Sequence, residues 1–210
     1  MLKTNTVLVL APHTDDGEFG CGGTIAKLIK NGSRVICVSF SAAETSVLPE
    51  FPRDILRTES RKAAMSLGVK KADCIVLDFE VRTMPENRQL ILDKMIKLRK
   101  LYEPDSVFLP STNDTHQDHL VIANEGFRAF KSSNMFAYEV PWNNLNFTTS
   151  CFVELDKETL QAKVNSLKMY KSQQHRPYAN QKFIESLAMV RGVQINKEYA
   201  ECFEVIRGIL

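Results

Sequence analysis

Several features that define whole classes of protein are missing from this chain of 210 residues. No apolar run approaches the roughly 20 residues that a membrane-spanning helix requires, so we expect no integral membrane segment. The first residues lead into an apolar strand without the hydrophobic core of a secretory signal, which favours a cytoplasmic location. The formal net charge is only +2, so no basic field indicates a nucleic-acid partner.

Cysteine is also scarce, and its pattern excludes a disulfide framework. The five cysteines are odd in number and include no Cys-x-x-Cys pair. Cys37, Cys74 and Cys151 lie in apolar, strand-like runs, where a free thiol behaves as a small hydrophobic side chain. With 44% hydrophobic and 25% charged residues, the composition is that of an ordinary globular protein. Length and composition together predict one domain over residues 1–210.

Strand-like and helix-like segments alternate through most of the sequence. Strands are predicted at residues 7–11, 34–40, 72–79, 106–109, 136–140 and 151–155. Helices are predicted around residues 25–29, 53–67, 91–102, 123–130, 160–170 and 183–190. The order β-α-β-α-β-α-β in the first half predicts an α/β fold with a parallel sheet covered by helices on both faces.

Two polar clusters follow predicted strands. His13-Thr14-Asp15-Asp16 comes directly after the first strand, and His116-Gln117-Asp118-His119 comes after the fourth. Adjacent carboxylates repel each other, and burial makes each costlier unless a cation or a proton is shared. Ligands of open parallel sheets bind outside the carboxyl ends of the strands. If the first and fourth strands are neighbours, both clusters therefore face one crevice.

The residue types of these clusters suit a hydrolytic metal site. Two imidazoles and one carboxylate are the protein ligands of a zinc ion that keeps one position open for water. Six candidates are available, so some of them serve in proton transfer or hold the ligands in place. His13 and Asp16 converge across a turn more easily than the adjacent Asp15 and Asp16. Zinc is the expected ion, with another divalent transition metal as the alternative.

The glycines that follow the first cluster allow a different interpretation as a dinucleotide-binding loop. That fingerprint reads G-x-G-x-x-G and opens where the strand ends. Here the order is Gly20-x-Gly22-Gly23, and the preceding acidic residues would repel cofactor phosphates. We therefore expect these glycines to permit a tight turn and close packing of a helix against the sheet.

Two segments of the sequence resemble a known family. The segment 12–24, which reads Pro-His-Thr-Asp-Asp-Gly-Glu-Phe-Gly-Cys-Gly-Gly-Thr, and the segment 116–119 resemble the PIG-L/LmbE family of zinc-dependent N-deacetylases. Further short motifs that resemble the family stand at Leu67-Gly68-Val69, Tyr138-Glu139-Val140-Pro141 and Tyr199-Ala200-Glu201-Cys202-Phe203. Thr14 stands where proline is more usual, and Gly17 stands where some members have glutamate.

The resemblance implies a Rossmann-like three-layer fold (LmbE-like) with a mostly parallel sheet. It also implies hydrolysis of an acyl amide, usually the N-acetyl group of a glucosamine-type sugar. Its metal ligands match His13, Asp16 and His119, and its general base matches Asp15. His116 matches a histidine that stabilises or protonates the reacting centre, and Asp118 is placed to orient it. Either Asp15 or His116 then gives a proton to the leaving amine.

The expected partner is a small amino sugar or sugar conjugate, with nucleotide-linked and lipid-linked forms among the candidates. Arg53 and Arg57 follow the second strand and are candidates to hold a phosphate or carboxylate of that substrate. Trp142, next to two asparagines, is a candidate to cover a sugar face. Removal of a formyl or longer acyl group, and a non-catalytic module that binds sugars or nucleotides, are the alternative functions. The sequence leaves the oligomeric state open.

Overall fold

The computed structural model describes residues 4–209, which form a seven-stranded sheet and six α-helices. The strands are β1 (Thr6–Ala11), β2 (Arg34–Ser39), β3 (Cys74–Val76), β4 (Ser106–Pro110), β5 (Asn134–Tyr138), β6 (Cys151–Leu155) and β7 (Tyr199–Arg207). The helices are α1 (Asp16–Lys30), α2 (Ile55–Ser66), α3 (Arg88–Tyr102), α4 (Gln117–Ala129), α5 (Lys157–Leu167) and α6 (Gln181–Val193). The expectation that no secretory signal is present concerns the first residues of the chain. Of these, residues 1–3 lie outside the described residues.

The sheet confirms the predicted fold class. Its strand order is β3-β2-β1-β4-β5-β7-β6, and the first five strands of the chain run parallel to one another. Strand β7 is antiparallel to both of its neighbours. Helices α1, α2 and α5 pack together on one face, and α3 and α4 pack together on the other. Three layers result, as the resemblance implies.

Strands β1 and β4 are direct neighbours in the sheet. The prediction that both polar clusters face one crevice requires this arrangement. Val7 is in register with Ser106, and Val9 is in register with Phe108. Both strands consist of buried residues along nearly their whole length. Because the two strands are parallel, the segments that leave their carboxyl ends emerge side by side at one edge of the sheet.

Helix α1 begins earlier than the sequence predicts and runs through the glycine-rich segment. The backbone at Cys21 leaves helical geometry (φ −147°, ψ 25°), so the expected turn is a kink within the helix. A Cβ atom at Gly20 would lie 2.3 Å from Cδ2 of Tyr138, and one at Gly23 would lie 2.5 Å from Cδ1 of Leu155. These glycines therefore let the helix approach the sheet closely, as predicted.

Three strands differ from the prediction. The third strand is shorter than expected because β3 lies at the edge of the sheet and pairs only with β2. The fifth strand begins and ends two residues earlier than predicted, at Asn134–Tyr138. The sequence analysis assigned no strand to Tyr199–Arg207, since the buried Glu201 and Glu204 interrupt its apolar pattern.

Two predictions from composition concern the cysteines and the length of apolar helices. All five cysteines are free thiols; Cys21 and Cys202 are buried, and Cys37, Cys74 and Cys151 are partly buried. No helix within residues 4–209 combines the length and the apolar character that crossing a bilayer requires.

Candidate functional site

Two segments that follow neighbouring strands form the site. Residues 12–15 connect β1 to α1, whose first residue is Asp16, and residues 111–116 connect β4 to α4. Asp15 occupies the position that precedes α1, and His116 precedes α4. Helix α4 then places His119 in its first turn, where the side chain is buried. The fold thus brings together both polar clusters that the sequence singled out.

Three side-chain atoms form a nearly equilateral triangle. Nδ1 of His13 lies 3.2 Å from Oδ2 of Asp16, and Nε2 of His119 lies 3.3 Å from the same oxygen. The two nitrogen atoms are 3.4 Å apart. Tetrahedral zinc with ligands at about 2.0–2.1 Å requires separations of about 3.3–3.4 Å between those ligands. The donor set and its spacing therefore fit a zinc ion.

Carboxylates hold the outer nitrogen atoms of both histidines. Nε2 of His13 lies 3.0 Å from Oδ2 of Asp118, and Nδ1 of His119 lies 2.7 Å from Oδ2 of Asp114. A metal-binding histidine commonly donates its second N–H to such a carboxylate, which fixes the ring and makes the ligating nitrogen more basic. This arrangement leaves Nδ1 of His13 and Nε2 of His119 to face the centre of the triangle.

The contacts of Asp118 correct one prediction. The sequence analysis expected this carboxylate to orient His116, but Oδ2 of Asp118 contacts His13 and accepts the backbone N–H of Arg82 at 2.7 Å. His116 is instead held by its Nδ1 atom, which accepts the backbone N–H of Asp118 at 3.2 Å. The physical reason is local, because a residue that precedes a helix naturally accepts an N–H of the first turn.

His116 lies against the other two imidazoles. Its ring centroid is 4.9 Å from that of His13 and 4.8 Å from that of His119. Each of the three rings offers a nitrogen atom within 4.8 Å of the others, so His116 is also within reach of a metal ion. Burial, together with the neighbouring histidines, lowers the pKa of His116 below its usual value. The neutral ring then carries its proton on Nε2.

The two histidines of the triangle titrate in the opposite direction. Burial alone lowers the pKa of His13, but contacts with Asp118 and Asp16 outweigh it and raise the pKa to about 9. The pKa of His119 rises to about 10, because Asp16 and Asp114 overcome the effect of burial. Burial favours the neutral form of Asp16, yet the two imidazoles hold its pKa well below the usual range. In the absence of a metal, the triangle is therefore a buried ion cluster.

Asp15 behaves differently from the adjacent Asp16. Its side chain makes no capping hydrogen bond to α1, although the residue precedes the helix. Burial and the negative charge of Asp16 raise the pKa of Asp15 to about 6. A carboxyl group that titrates this close to neutral pH can both accept and release a proton under ordinary conditions.

The cluster opens into a cavity of about 340 Å³, within the range of about 300–1,000 Å³ that is typical of small-molecule sites. His13, Asp15, Asp16, His116 and His119 line its floor. The sequence analysis did not assign a role to several other residues that line it, among them Arg82, Asn143, Gln173, Arg176 and Tyr178. They lie in connecting segments that carry no periodic signal.

Trp142 lines this cavity, as the prediction of a substrate contact requires. Its ring stacks on Tyr178 with a centroid separation of 3.7 Å and an interplanar angle of 4°, and Phe19 meets both rings edge-on. Tyr178 thus covers one face of the indole. Trp142 belongs to an aromatic wall of the cavity rather than standing free to stack on a sugar.

Arg53 and Arg57 are not among the residues that line the cavity, which corrects their predicted role. The guanidinium of Arg57 donates to Oε1 of Glu44 at 2.6 Å and to Oδ1 of Asp78 at 2.7 Å. Arg53 is exposed and donates to the backbone carbonyl of Glu44 at 3.3 Å. Two carboxylates thus neutralise the charge of Arg57, whereas Arg53 lies outside the cavity with only a backbone partner.

Asp114 is a site residue that the sequence analysis missed. It lies in the loop after β4, is buried, and accepts the backbone N–H of His116 at 2.8 Å in addition to its contact with His119. Within a polar loop of Ser, Thr and Asn, a single aspartate has no distinguishing spacing. The only available signal was its place at the carboxyl end of a central strand.

Comparisons with known proteins agree with this geometry. Residues 8–130 match the model of the family described as PIG-L, GlcNAc-PI de-N-acetylase. The matched range includes the whole of both polar clusters and Asp114. The cavity residues Trp142, Arg176 and Tyr178 lie beyond it.

Individual relatives are similar over most of the chain. An uncharacterized deacetylase of Escherichia coli (strain K12), YaiS, is 28% identical and covers 81% of this chain and 92% of its own length. The solved structure of an N,N'-diacetylchitobiose deacetylase from Pyrococcus horikoshii has a TM-score of 0.81 at 24% identity, covering 97% of this chain and 84% of the other. GalB, the 4-carboxy-2-hydroxymuconate hydratase of Pseudomonas putida KT2440, has a TM-score of 0.81 at 20% identity and covers 98% of both chains. These structural likenesses establish the fold, and the hydratase demonstrates that the fold serves more than one reaction.

Proposed function

Since the chain belongs to the PIG-L family, we propose that it is a zinc-dependent hydrolase that removes the acetyl group from an N-acetylated amino sugar or sugar conjugate. The observation that carries this proposal is the triangle of His13, Asp16 and His119, whose separations of 3.2–3.4 Å suit tetrahedral zinc. The cavity above the triangle has the volume of a small-molecule site.

The residues that would hold zinc are His13, Asp16 and His119. When bound, the ion supplies Lewis-acid chemistry, because it polarises the acetamide carbonyl and makes the attacking water more acidic. Asp118 and Asp114 keep the two imidazoles in the required orientation through their outer nitrogen atoms. His116 lies within reach of the same centre, but its Nδ1 is already occupied by a backbone N–H.

We assign proton transfer to Asp15. Its carboxylate takes a proton from the attacking water, and its pKa of about 6 suits both acceptance and later release. His116 is neutral at pH 7, so loss of its Nε2 proton would leave an unfavourable anionic ring. We therefore propose that Asp15 delivers the proton to the leaving amine, while Nε2–H of His116 donates a hydrogen bond to the developing oxyanion.

The proposal is tested by metal analysis and by acetate release. The purified protein should contain about one zinc per chain and release acetate from N-acetylglucosamine, N,N'-diacetylchitobiose or GlcNAc-PI. His119→Ala should lose both the metal and the activity. His175→Ala is the matched control, because its ring contacts the carbonyl of Ser172 away from the triangle.

The alternatives predict different results in the same assay. Faster release of formate from N-formylglucosamine would assign the site to deformylation. Metal binding without hydrolysis of any acylated amine in the panel would contradict the proposed function and favour a binding module.

A further inference from the structure

Within residues 4–209, five of the eleven arginines pair with acidic side chains and six do not. Arginine–carboxylate ion pairs with nitrogen–oxygen distances of 2.6–2.7 Å are formed by Arg34 with Asp73, Arg57 with Glu44 and Asp78, Arg88 and Arg128 with Glu125, and Arg191 with Glu139. These pairs lie outside the lining of the catalytic cavity.

The two arginines that line the cavity belong to the group without an acidic partner. Within residues 4–209, neither Arg82 nor Arg176 has a carboxylate oxygen within 4.0 Å of its guanidinium. The guanidinium of Arg82 donates to the neutral hydroxyl of Ser46 at 2.6 Å. Arg176 is exposed and lines the cavity together with Asp15 and Tyr178. Two positive charges therefore face the space that a substrate would occupy.

The acidic residues of the site do not account for these charges. Asp16 and Asp114 contact imidazoles, and so does Asp118, which takes only the backbone N–H of Arg82. Asp15 is the remaining carboxylate of the cavity. One carboxylate cannot neutralise two arginines that enter from different segments.

Both arginines are attached to parts of the fold that position the site. The backbone of Arg82 is left-handed (φ 71°), which is uncommon for a residue other than glycine. Its N–H donates to Asp118, and its carbonyl accepts from the side chain of Gln117. Arg82 is therefore fixed relative to His13 through Asp118. Arg176 lies two residues before Tyr178, which is part of the aromatic wall with Trp142.

We propose that Arg82 and Arg176 bind an anionic group of the substrate, a phosphate or a carboxylate attached to the amino sugar. This inference rests on the proposed function and narrows its substrate class. A guanidinium recognises either anion through two parallel hydrogen bonds, and a concave site concentrates the electric field of such charges. The role that the sequence analysis assigned to Arg53 and Arg57 thus passes to two arginines that reach the cavity.

An effect of Arg176 on Asp15 alone is the competing explanation that the experiment separates from recognition of an anion. The two explanations make different predictions. An effect through Asp15 would slow the hydrolysis of every substrate by the same factor and would shift the pH profile. Recognition of an anion would act chiefly on KM and only for substrates that carry the charge.

The experiment compares three glycosides of N-acetylglucosamine that differ in one group. They are the neutral methyl glycoside, the 1-phosphate and the carboxymethyl glycoside, so the phosphate and carboxylate sources are separated. For the wild-type protein, kcat/KM should be higher for at least one anionic substrate than for the neutral one. This preference should fall as salt is added, because salt screens exposed charges.

Arg176→Gln and Arg82→Gln should each lower that preference about tenfold or more, mainly through KM. Arg61→Gln is the matched control, since Arg61 is an exposed arginine of α2 outside the cavity lining and should keep the wild-type preference. Equal losses on all three glycosides, or a wild-type protein without preference, would overturn the inference.

A binding measurement separates failure of this inference from failure of the proposed function. Calorimetric titration of the same glycosides needs no turnover. Tighter binding of an anionic glycoside than of the methyl glycoside, lost in Arg176→Gln, would support the anion site even in a protein that hydrolyses none of them. Equal binding of charged and neutral glycosides would contradict it.

Discussion

Each histidine of the site is defined by the partner of its second ring nitrogen. His13 and His119 place a carboxylate behind the ring, which makes the inward nitrogen a good metal ligand. His116 places a backbone N–H behind the ring, so the inward nitrogen carries a proton and acts as a donor. Three similar side chains thereby acquire two functions through partners that lie 105, 5 and 2 residues away in the sequence.

Asp15→Asn should separate proton transfer from metal binding. The amide has nearly the same shape but cannot accept the proton of the attacking water, so kcat should fall about a hundredfold or more. The zinc content should stay at the wild-type value, because Asp15 is not part of the triangle. Metal analysis of the variant decides the matter, and loss of the ion would make Asp15 a ligand.

Asp114→Asn should weaken zinc binding without removing a ligand. The asparagine oxygen can still accept from Nδ1 of His119, but the negative charge that makes the ring more basic is lost. The dissociation constant should rise about 10- to 100-fold in a competition titration with a chelator. Asp78→Asn is the control, because it removes an exposed carboxylate that pairs with Arg57. Equal affinities in the two variants would exclude the proposed role of Asp114.

At the scale of secondary structure elements, the kink of α1 depends on a carboxylate from β7. Glu201 accepts the backbone N–H groups of Gly23 at 3.0 Å and Thr24 at 2.6 Å, where the helix resumes after Cys21. The same carboxylate pairs with the buried ammonium of Lys163 at 2.6 Å. Strand β7 therefore fixes the direction of the helix whose first turn supplies Asp16.

Glu201→Gln should destabilise the protein strongly. The change leaves the Lys163 ammonium buried without a counter-charge, which typically costs about 3–5 kcal/mol in the free energy of unfolding. Denaturant titration measures this loss in the free energy of unfolding. Glu158→Gln removes an exposed partner of Lys30 and should change the free energy of unfolding by less than about 1 kcal/mol. A similar small loss in both variants would refute the importance of this pair.

At the scale of the whole molecule, the site joins segments that are about a hundred residues apart in sequence. A bound zinc ion would connect the start of α1 with the start of α4 and stabilise only the folded chain. When the free zinc concentration is one hundred times the dissociation constant, zinc binding adds about 2.7 kcal/mol to the free energy of unfolding. For a protein of this length, Tm should rise by about 5–10 °C. Thermal unfolding with zinc and with a chelator measures the shift, which His119→Ala should abolish.

Zinc binding should also release protons. Without metal, the pKa values of about 9 for His13 and about 10 for His119 keep both rings protonated at pH 7. A metal ion needs the unprotonated nitrogen atoms, so its apparent affinity should rise with pH until these values are passed. Calorimetry in buffers with different ionisation enthalpies counts the protons. Binding without proton release would contradict the ion cluster that the metal-free geometry contains.

One continuous sheet connects the halves of the chain, and we propose on this basis that residues 1–210 function as a single domain. The family match ends at residue 130, whereas the aromatic wall and Arg176 come from the following third of the chain. The matched part thus holds the reactive cluster, and the remainder supplies much of the cavity that would select a substrate.

Sequence alone determined the features that depend on local pattern. Apolar runs identified β1 and β4, and the polar residues after them gave six candidate ligands. The resemblance to the family then singled out His13, Asp16 and His119 among the six. Strand periodicity and the position of a polar residue at a strand end are local properties of the chain, so the sequence alone can indicate them.

Only the tertiary structure decided which charges are already satisfied. Nothing in the sequence distinguishes Arg57, which two carboxylates neutralise, from Arg176, which faces the cavity. Likewise, the partner of Asp118 is a histidine 105 residues away rather than the histidine two residues away. Ion pairs and hydrogen bonds between distant segments depend on how the strands are ordered in the sheet, and local sequence carries no record of that order.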